Sequence, residues 1–274
     1  MAEEIIQVKN LTYAYQAGTS ALNHINITIK AGEKIAIMGS NGAGKSTFFL
    51  NLNGVLQSDA GEIRYRGILI GKKNLKELRK NVGFVFQDAD SQMIASDVQS
   101  EISFGPMNLK LPREEVKKRV EEALEYMNLT RYRNRPPHYL SGGEKKRVSI
   151  ADIIAMKSEV VLFDEPTAAL DPVSADMLEE VLAKMSEEEK TLLISTHDID
   201  FAYRWAERVV VFDRGNIIAD GTPLEIFQNE EVLKQAHLKK PAMLKVYETL
   251  RNKGVIKEES YPRLPEELAG TLTL

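Results

Sequence analysis

The sequence contains no cysteine, so this chain can build neither a disulfide framework nor a thiolate metal site. Histidine is scarce as well. His24, His138, His197 and His237 are scattered, which argues against a transition-metal centre made by the protein. There is no basic excess: 28% of the residues are charged, both signs are interspersed, and the formal net charge is −4. A general nucleic-acid binder carries a positive surplus, so no nucleic-acid partner is expected. No apolar run approaches the ~18 residues needed to cross a bilayer. The opening MAEEIIQVKN lacks the basic and apolar blocks of a secretory leader. Together these absences point to a soluble, cytoplasmic protein.

What is present suffices for a core. Of the 274 residues 43% are hydrophobic, enough for one large domain and a small appendage. Strands and helices alternate, the pattern of an α/β protein with a largely parallel sheet. Ile25, Ile27 and Ile29 alternate with polar residues and predict a half-exposed strand of antiparallel character. KIAIMG (34–39), VGFVFQ (82–87), VVLFD (160–164), TLLIS (191–195) and RVVVF (208–212) are nearly continuous apolar runs, suited to strands buried on both faces. From Pro112 onward Val116, Val120, Ala123, Leu124 and Met127 share one helical stripe, and a second helix is expected just after Ser141-Gly142-Gly143. A helical block thus interrupts one sheet. Beyond Gly221 the composition turns polar, with an amphipathic helix expected after Pro241. The tail YPRLPEELAGTLTL shows little periodicity and is expected to be partly disordered.

Three motifs carry chemistry. GSNGAGKS, comprising Gly39, Ser40, Asn41, Gly42, Ala43, Gly44, Lys45 and Ser46 and followed by Thr47, fits the phosphate-loop template between a strand and a helix. Its glycines let successive backbone N–H groups turn toward phosphates at a positive helix terminus. Lys45 adds a point charge, and the Ser46 hydroxyl can ligate Mg²⁺. A chance glycine-rich turn would not be expected with this placement. Strand VVLFDE ends in Asp164, suited to hold Mg²⁺, and Glu165, suited to deprotonate a water. Acids at a strand end are ordinary by themselves; they gain meaning from the upstream phosphate loop. LSGGEKKR (140–147) offers a further anion nest through Ser141, Gly142 and Gly143, although Ser-Gly-Gly is also a common helix start.

In this order the motifs resemble the ABC ATPase family, over roughly residues 4–222, with LSGGE standing for its LSGGQ signature. The resemblance implies a P-loop NTPase of ABC type: a mixed sheet, N-terminal antiparallel strands and an inserted helical subdomain at about 88–157. Residues 1–222 would form the nucleotide-binding domain and 223–274 a small C-terminal helical extension. It implies ATP and Mg²⁺ as cofactors. Gln87 takes the family's position beside Mg²⁺ and the attacking water, with Ser46 and Asp164 also on the metal. Glu165 and His197, in STHD, act on the γ-phosphate end. Tyr15, or alternatively Tyr13, stacks on adenine; both face one side of their strand. Asp171, in AALDP, takes the D-loop position and can also cap a helix before Pro172. Ser141, Gly142, Gly143 and Asp171 would contact ATP bound by a second subunit. With a single cassette, the chain would work as a homodimer or paired with a related ATPase subunit.

Residues 87–112, QDADSQMIASDVQSEISFGPMNLKLP, and the C-terminal LKKPAMLKVYETL resemble the energy-coupling-factor (ECF) branch, in particular its cobalt and nickel subunits. That likeness implies a motor on the cytoplasmic face of the cell membrane, peripheral, with a transmembrane coupling (T) component and a substrate-binding (S) component. A vitamin importer is the alternative cargo assignment. An ATPase of this class acting on nucleic acid would need a coiled-coil insertion, and no sustained heptads occur between Ser46 and Leu140. Asp88 to Phe104 is where membrane helices would dock, with Met93, Ile94 and Phe104 as apolar residues in a polar stretch. Two departures stand out: Glu144 replaces the usual Gln of the signature, and Ala89 stands where many relatives have Pro.

Overall fold

The computed structural model describes residues 3–16, 18–90, 92–168, 170–256 and 260–271. Ala169 of AALDP, Ser91 of the expected docking stretch and the last three residues of the tail lie outside this set. The chain begins with β1 (Glu4–Tyr15), β2 (Thr19–Lys30), β3 (Lys34–Met38) and α1 (Lys45–Leu52). It continues through β4 (Ala60–Tyr65), β5 (Ile68–Leu69), α2 (Leu75–Asn81) and β6 (Val82–Val85). The helical block comprises α3 (Val98–Asn108), α4 (Arg113–Tyr126) and α5 (Gly142–Met156). Then follow β7 (Val160–Asp164), α6 (Pro172–Glu187), β8 (Thr191–Ser195), α7 (Ile199–Trp205), β9 (Arg208–Asp213) and β10 (Asn216–Gly221). Short helices close the chain: α8 (Pro223–Gln228), α9 (Glu230–Gln235), α10 (Ala242–Asn252) and α11 (Pro265–Thr271).

The strands form two sheets. One is antiparallel, in the order β2-β1-β4-β5; the other runs β10-β9-β3-β8-β7-β6, parallel except for β10. The expected mixed α/β arrangement is therefore present, and β3 and β6 lie upstream of the helical block while β7, β8 and β9 lie downstream. Successive residues of a strand point to opposite faces, and this alternation divides the core. Val160 and Leu162 of β7 pack with Phe48 and Phe49 of α1 and with Ile5, Leu11 and Ile25 of the antiparallel sheet. Val161 and Phe163 instead meet Ile102, Leu124 and Val148 of the helical block. A third cluster joins Met38, Val209 and Val211 to Tyr203 of α7 and Phe227 and Leu244 of the C-terminal helices. Helix α1 is thus wedged between two sheets. Burying each of its phenylalanines contributes about 1.5–3 kcal/mol, and truncating Phe48 to alanine would cost about 3–5 kcal/mol.

Residues Pro265–Thr271 form helix α11, although it buries no side chain. Its entry is fixed by Glu267, whose carboxylate accepts the Arg263 backbone N–H at 2.6 Å. Among the described residues no helix is long and apolar enough to cross a membrane.

Candidate functional site

The loops after β3, β7 and β8 emerge at the carboxyl end of the parallel sheet, where open α/β sheets place their ligands. Two glycines make the first loop possible. Gly39 has φ 140°, and a β-carbon there would lie 2.2 Å from the Phe212 carbonyl oxygen; Gly44 has φ 108°, with the Ala21 oxygen 2.6 Å away. Gly44 also starts α1 without any side-chain cap, and the first turn holds no acidic residue. The N-terminal N–H groups of that helix are therefore left for an external anion. Lys45 folds back to donate to the Gly39 and Ser40 carbonyls at 2.8 and 3.2 Å. Burial pushes its pKa below the ordinary lysine value, with Glu165 and Asp164 opposing the shift.

Asp164, the buried last residue of β7, accepts a hydrogen bond from the Ser195 hydroxyl at the end of β8. The same hydroxyl oxygen accepts the Glu165 backbone N–H at 3.0 Å. These bonds hold Glu165 in left-handed backbone, φ 44°. Its Oε1 lies 2.9 Å from His197 Nε2 and 3.9 Å from Lys45 Nζ. Lys45 Nζ and His197 Nε2 are 3.4 Å apart. Burial raises the Glu165 carboxyl and lowers the His197 imidazole, the latter helped by the Lys45 charge. Both shifts favour the neutral forms. On acidification the Glu165 carboxylate therefore takes up its proton at a higher pH than an ordinary glutamate. For stability, a raised carboxyl contributes at pH below its unfolded value and loses that contribution as pH rises through its folded one.

A cavity of about 410 Å³ is lined by Tyr15, Asn41 to Thr47, Gln87, Glu165 and His197. Ser46 is exposed at its floor, and Gly39 and Ser40 reach it through Lys45. Of the two tyrosines, Tyr15 lines the cavity and is 45% exposed, with its hydroxyl 3.1 Å from Thr47 Oγ1. Tyr13 packs against the core and meets the Tyr15 ring edge-on. Gln87 does not end a strand: β6 stops at Val85. The turn beyond is fixed by Lys146 of α5, which donates to the carbonyls of Phe86 at 2.8 Å and Gln87 at 2.7 Å. Burial lowers the Lys146 pKa to about 8.

Ser141, Gly142, Gly143 and Asp171 are not brought to this cavity. Ser141 caps α5 in a capping box with Glu144. Asp171 caps α6 by accepting from the Ser174 backbone N–H at 3.0 Å. The two turns adjoin: a β-carbon on Gly143 would lie 2.3 Å from Ser174 Oγ and 3.7 Å from Asp171 Oδ2. They form one patch. Met93 packs partly buried against the helical core, whereas Ile94 and Phe104 are 70% and 50% exposed. Met93 thus keeps part of its surface exposed while packing on the helical core before α3. Thr19, Ser20 and Ala21 also line the cavity and escaped the sequence reading, since nothing in that turn suggests a ligand. Ser195 and Lys146 were missed too; a hydroxyl directly before the THD turn was the available signal for the first.

Residues 22–168 match the family model described as ABC transporter. The chain belongs to the ABC transporter family. An ABC transporter ATP-binding protein of Methanosarcina mazei is 44% identical over 98% of this chain and 60% of its own length, so the chain spans less than two thirds of that relative. The ECF transporter ATP-binding protein EcfA of Methanothermobacter thermautotrophicus is 45% identical, over 97% of this chain and 88% of that protein. Within the ABC transporter family the chain therefore falls in the ECF branch of ATP-binding proteins. Among solved structures, CbiO1 from Clostridium perfringens, part of the ABC transporter complex CbiONQ, superposes with a TM-score of 0.76. It is 40% identical, over 92% of this chain and 98% of that one. A dimeric ATP-binding cassette in a post-hydrolysis state with ADP and phosphate gives 0.73 at 31% identity, over 80% of this chain and 99% of that one. As an ABC ATPase the chain binds and hydrolyses ATP.

Proposed function

We propose that this chain is the ATP-hydrolysing subunit that energises an ECF-type membrane importer for cobalt or nickel ions, with a vitamin importer as the alternative. The observation that carries the motor reading is the juxtaposition of Lys45, Glu165 and His197 within 3.9 Å at the mouth of an uncapped helix. Lys45 and the N–H groups of residues 41–47 bind the phosphates, and Tyr15 stacks on adenine. Glu165 takes a proton from the attacking water, Gln87 orients that water, and His197 contacts the γ-phosphate.

Among the described residues no group of three His, Asp or Glu could cage a metal. Mg²⁺ accepts one or two protein ligands and otherwise keeps phosphate and water, and the buried Asp164 carboxylate and exposed Ser46 hydroxyl suit that demand. Ser46, Asp164 and Gln87 are the residues that would hold it. Bound there, the ion neutralises charge building on the phosphate oxygens.

Ser141, Gly142, Gly143 and Asp171 lie away from the cavity and serve a second subunit's ATP, so two chains, identical or related, close over two nucleotides. The nucleotide-binding domain spans 1–222, with its helical subdomain at about 88–157, and the extension spans 223–274. Exposed Ile94 and Phe104, joined by Met107 at 63% exposure, form an apolar surface for the T component; an S component completes the importer, peripheral to which this chain works on the cytoplasmic face. The metal cargo rests on the likeness of residues 87–112 to the cobalt and nickel branch, since no residue of this chain is assigned to hold the cargo.

Mixing decides the composite site. Ser141→Arg and Lys45→Ala chains are each expected to be inactive. A heterodimer of the two concentrates both defects in one site and leaves the other intact, so activity should reappear. Zero activity at every ratio, with heterodimers confirmed by mass, would sink the trans assignment. Cargo is read separately, by identifying membrane proteins that co-purify and following uptake of labelled Co²⁺ or Ni²⁺.

A further inference from the structure

The helix that follows His197 is gripped from outside the nucleotide cavity. Helix α7 opens at Ile199 behind its cap Asp198, whose carboxylate accepts the Phe201 N–H at 2.9 Å. His197 therefore stands directly before the cap, and its own N–H reaches Glu165 Oε2 at 3.3 Å. A helix of 7 residues has little stability of its own, so its neighbours set its direction. In the first turn, Asp200 Oδ1 accepts the Ala242 backbone N–H at the start of α10, at 2.6 Å. At the other end, Arg263 Nε donates to the Tyr203 carbonyl at 2.7 Å and Nη2 donates to the Ala206 carbonyl. Its guanidinium also lies 5.8 Å from the centre of the Tyr203 ring. Carbonyls at a helix end lack intrahelical partners, and a cation there opposes the negative pole of the helix.

Arg263 is itself held in place. Tyr261 packs on Tyr247 of α10 with ring centres 5.0 Å apart and accepts from Arg251 at 3.1 Å. Pro262 is buried between them in sequence. Residues 260–264 thus tie α10 to the far end of α7. Ala242, Tyr247, Arg251, Tyr261 and Arg263 all lie beyond residue 222, outside the residues assigned to the nucleotide.

We propose that Asp200 and Arg263 are positioning residues for ATP hydrolysis: through them the C-terminal extension sets the direction of α7 and, with it, the place of the His197 imidazole. This rests on the reading of His197 as a γ-phosphate contact. If the extension only covered apolar surface, loosening its polar ties would lower stability and leave turnover unchanged. Displacement of a catalytic group by about 1 Å can cost 10²-fold in rate, so a partial loosening should be readable.

The test uses the full chain with the subunits that co-purify with it, as Arg263→Ala and Asp200→Ala variants. Steady-state ATPase and the imidazole NMR signals of the four histidines are measured together. We expect kcat to fall about 5- to 20-fold with KM for ATP within about 2-fold. The His197 signal should move while those of His24 and His138 stay. An unmoved His197 signal, or an unchanged kcat in folded protein whatever the melting temperature, overturns the proposal. Should Arg263→Ala fail to fold, Asp200→Ala at its exposed position decides by the same criteria. His197→Ala separates the two levels: full turnover in that variant removes the functional reading of His197, whereas its loss alongside normal kcat in the Arg263 and Asp200 variants removes only the positioning.

Discussion

Two helices of this chain start from glycine-rich turns and treat their first N–H groups in opposite ways. Helix α1 begins at Gly44 with no side-chain cap and no acid in its first turn. Helix α5 begins at Ser141 with a complete capping box: Glu144 accepts the Ser141 N–H at 2.8 Å, and Ser141 Oγ accepts the Glu144 N–H at 3.3 Å. A missing cap costs about 1 kcal/mol, which α1 recovers only when an anion completes it. Helix α5 is already complete. Any phosphate it meets must displace the box and approach the Glu144 carboxylate, whose pKa its hydrogen bonds to Tyr132 and Ser141 hold down against burial. An open terminus suits a ligand held through the cycle, and a self-capped one suits a contact that forms and breaks.

The largest effect should come from a change that touches neither terminus. Glu165→Gln is expected to slow hydrolysis by about 10²–10⁴-fold while ATP titration gives unchanged affinity and the closed dimer accumulates; near-normal phosphate release would mean that another group activates the water. Lys45→Ala attacks the open terminus directly. Losing a charged hydrogen-bond donor costs about 1.5–3 kcal/mol, so ATP affinity should drop by about 10- to 150-fold, and an unchanged binding isotherm would remove the phosphate loop from the site. Tyr15→Ala should weaken ATP by about 5- to 10-fold, the lower part of the stacking range, while Tyr13→Phe leaves the isotherm in place. Glu144→Gln sharpens the contrast most finely. It keeps a side-chain oxygen for the Ser141 N–H but removes a charge worth about 0.3–1 kcal/mol near a helix N-terminus. Stability should fall by that amount, and the ATP concentration for dimer closure should fall about 2- to 5-fold; a rise would show that the carboxylate helps to hold the partner's nucleotide.

Much of this was legible locally. Strands β3, β7, β8 and β9 announce themselves as short apolar runs because both faces are covered, and the start of α5 and the Asp171 cap follow from residue type. The antiparallel sheet was legible only in β2. Strand β1 carries register shifts between Val8 and Leu11 and again before Tyr13, which break the period of two that marks a half-buried strand. Helix α3 hides behind Pro106, a residue that ordinarily argues against a helix interior. Within the site, residues fixed by their own turns, Lys45, Ser46, Glu165 and His197, could be placed from motif order. Thr19 to Ala21 reach the cavity only because two sheets sandwich α1, and Met93 packs on the helical core through contacts distant in sequence.

The left-handed backbone at Glu165 has a cost that bears on how such a chain can change over time. A residue with a β-carbon in that region is strained by about 1–2 kcal/mol relative to the right-handed form, and glycine is not. Burial adds to the burden by opposing the carboxylate charge. On the base role proposed for Glu165, glycine at this position would therefore make a sturdier protein and an idle one. Selection for robustness and selection for turnover rank the same two residues in opposite orders here, so the chain's tolerance for mutations elsewhere is reduced by what this one side chain requires.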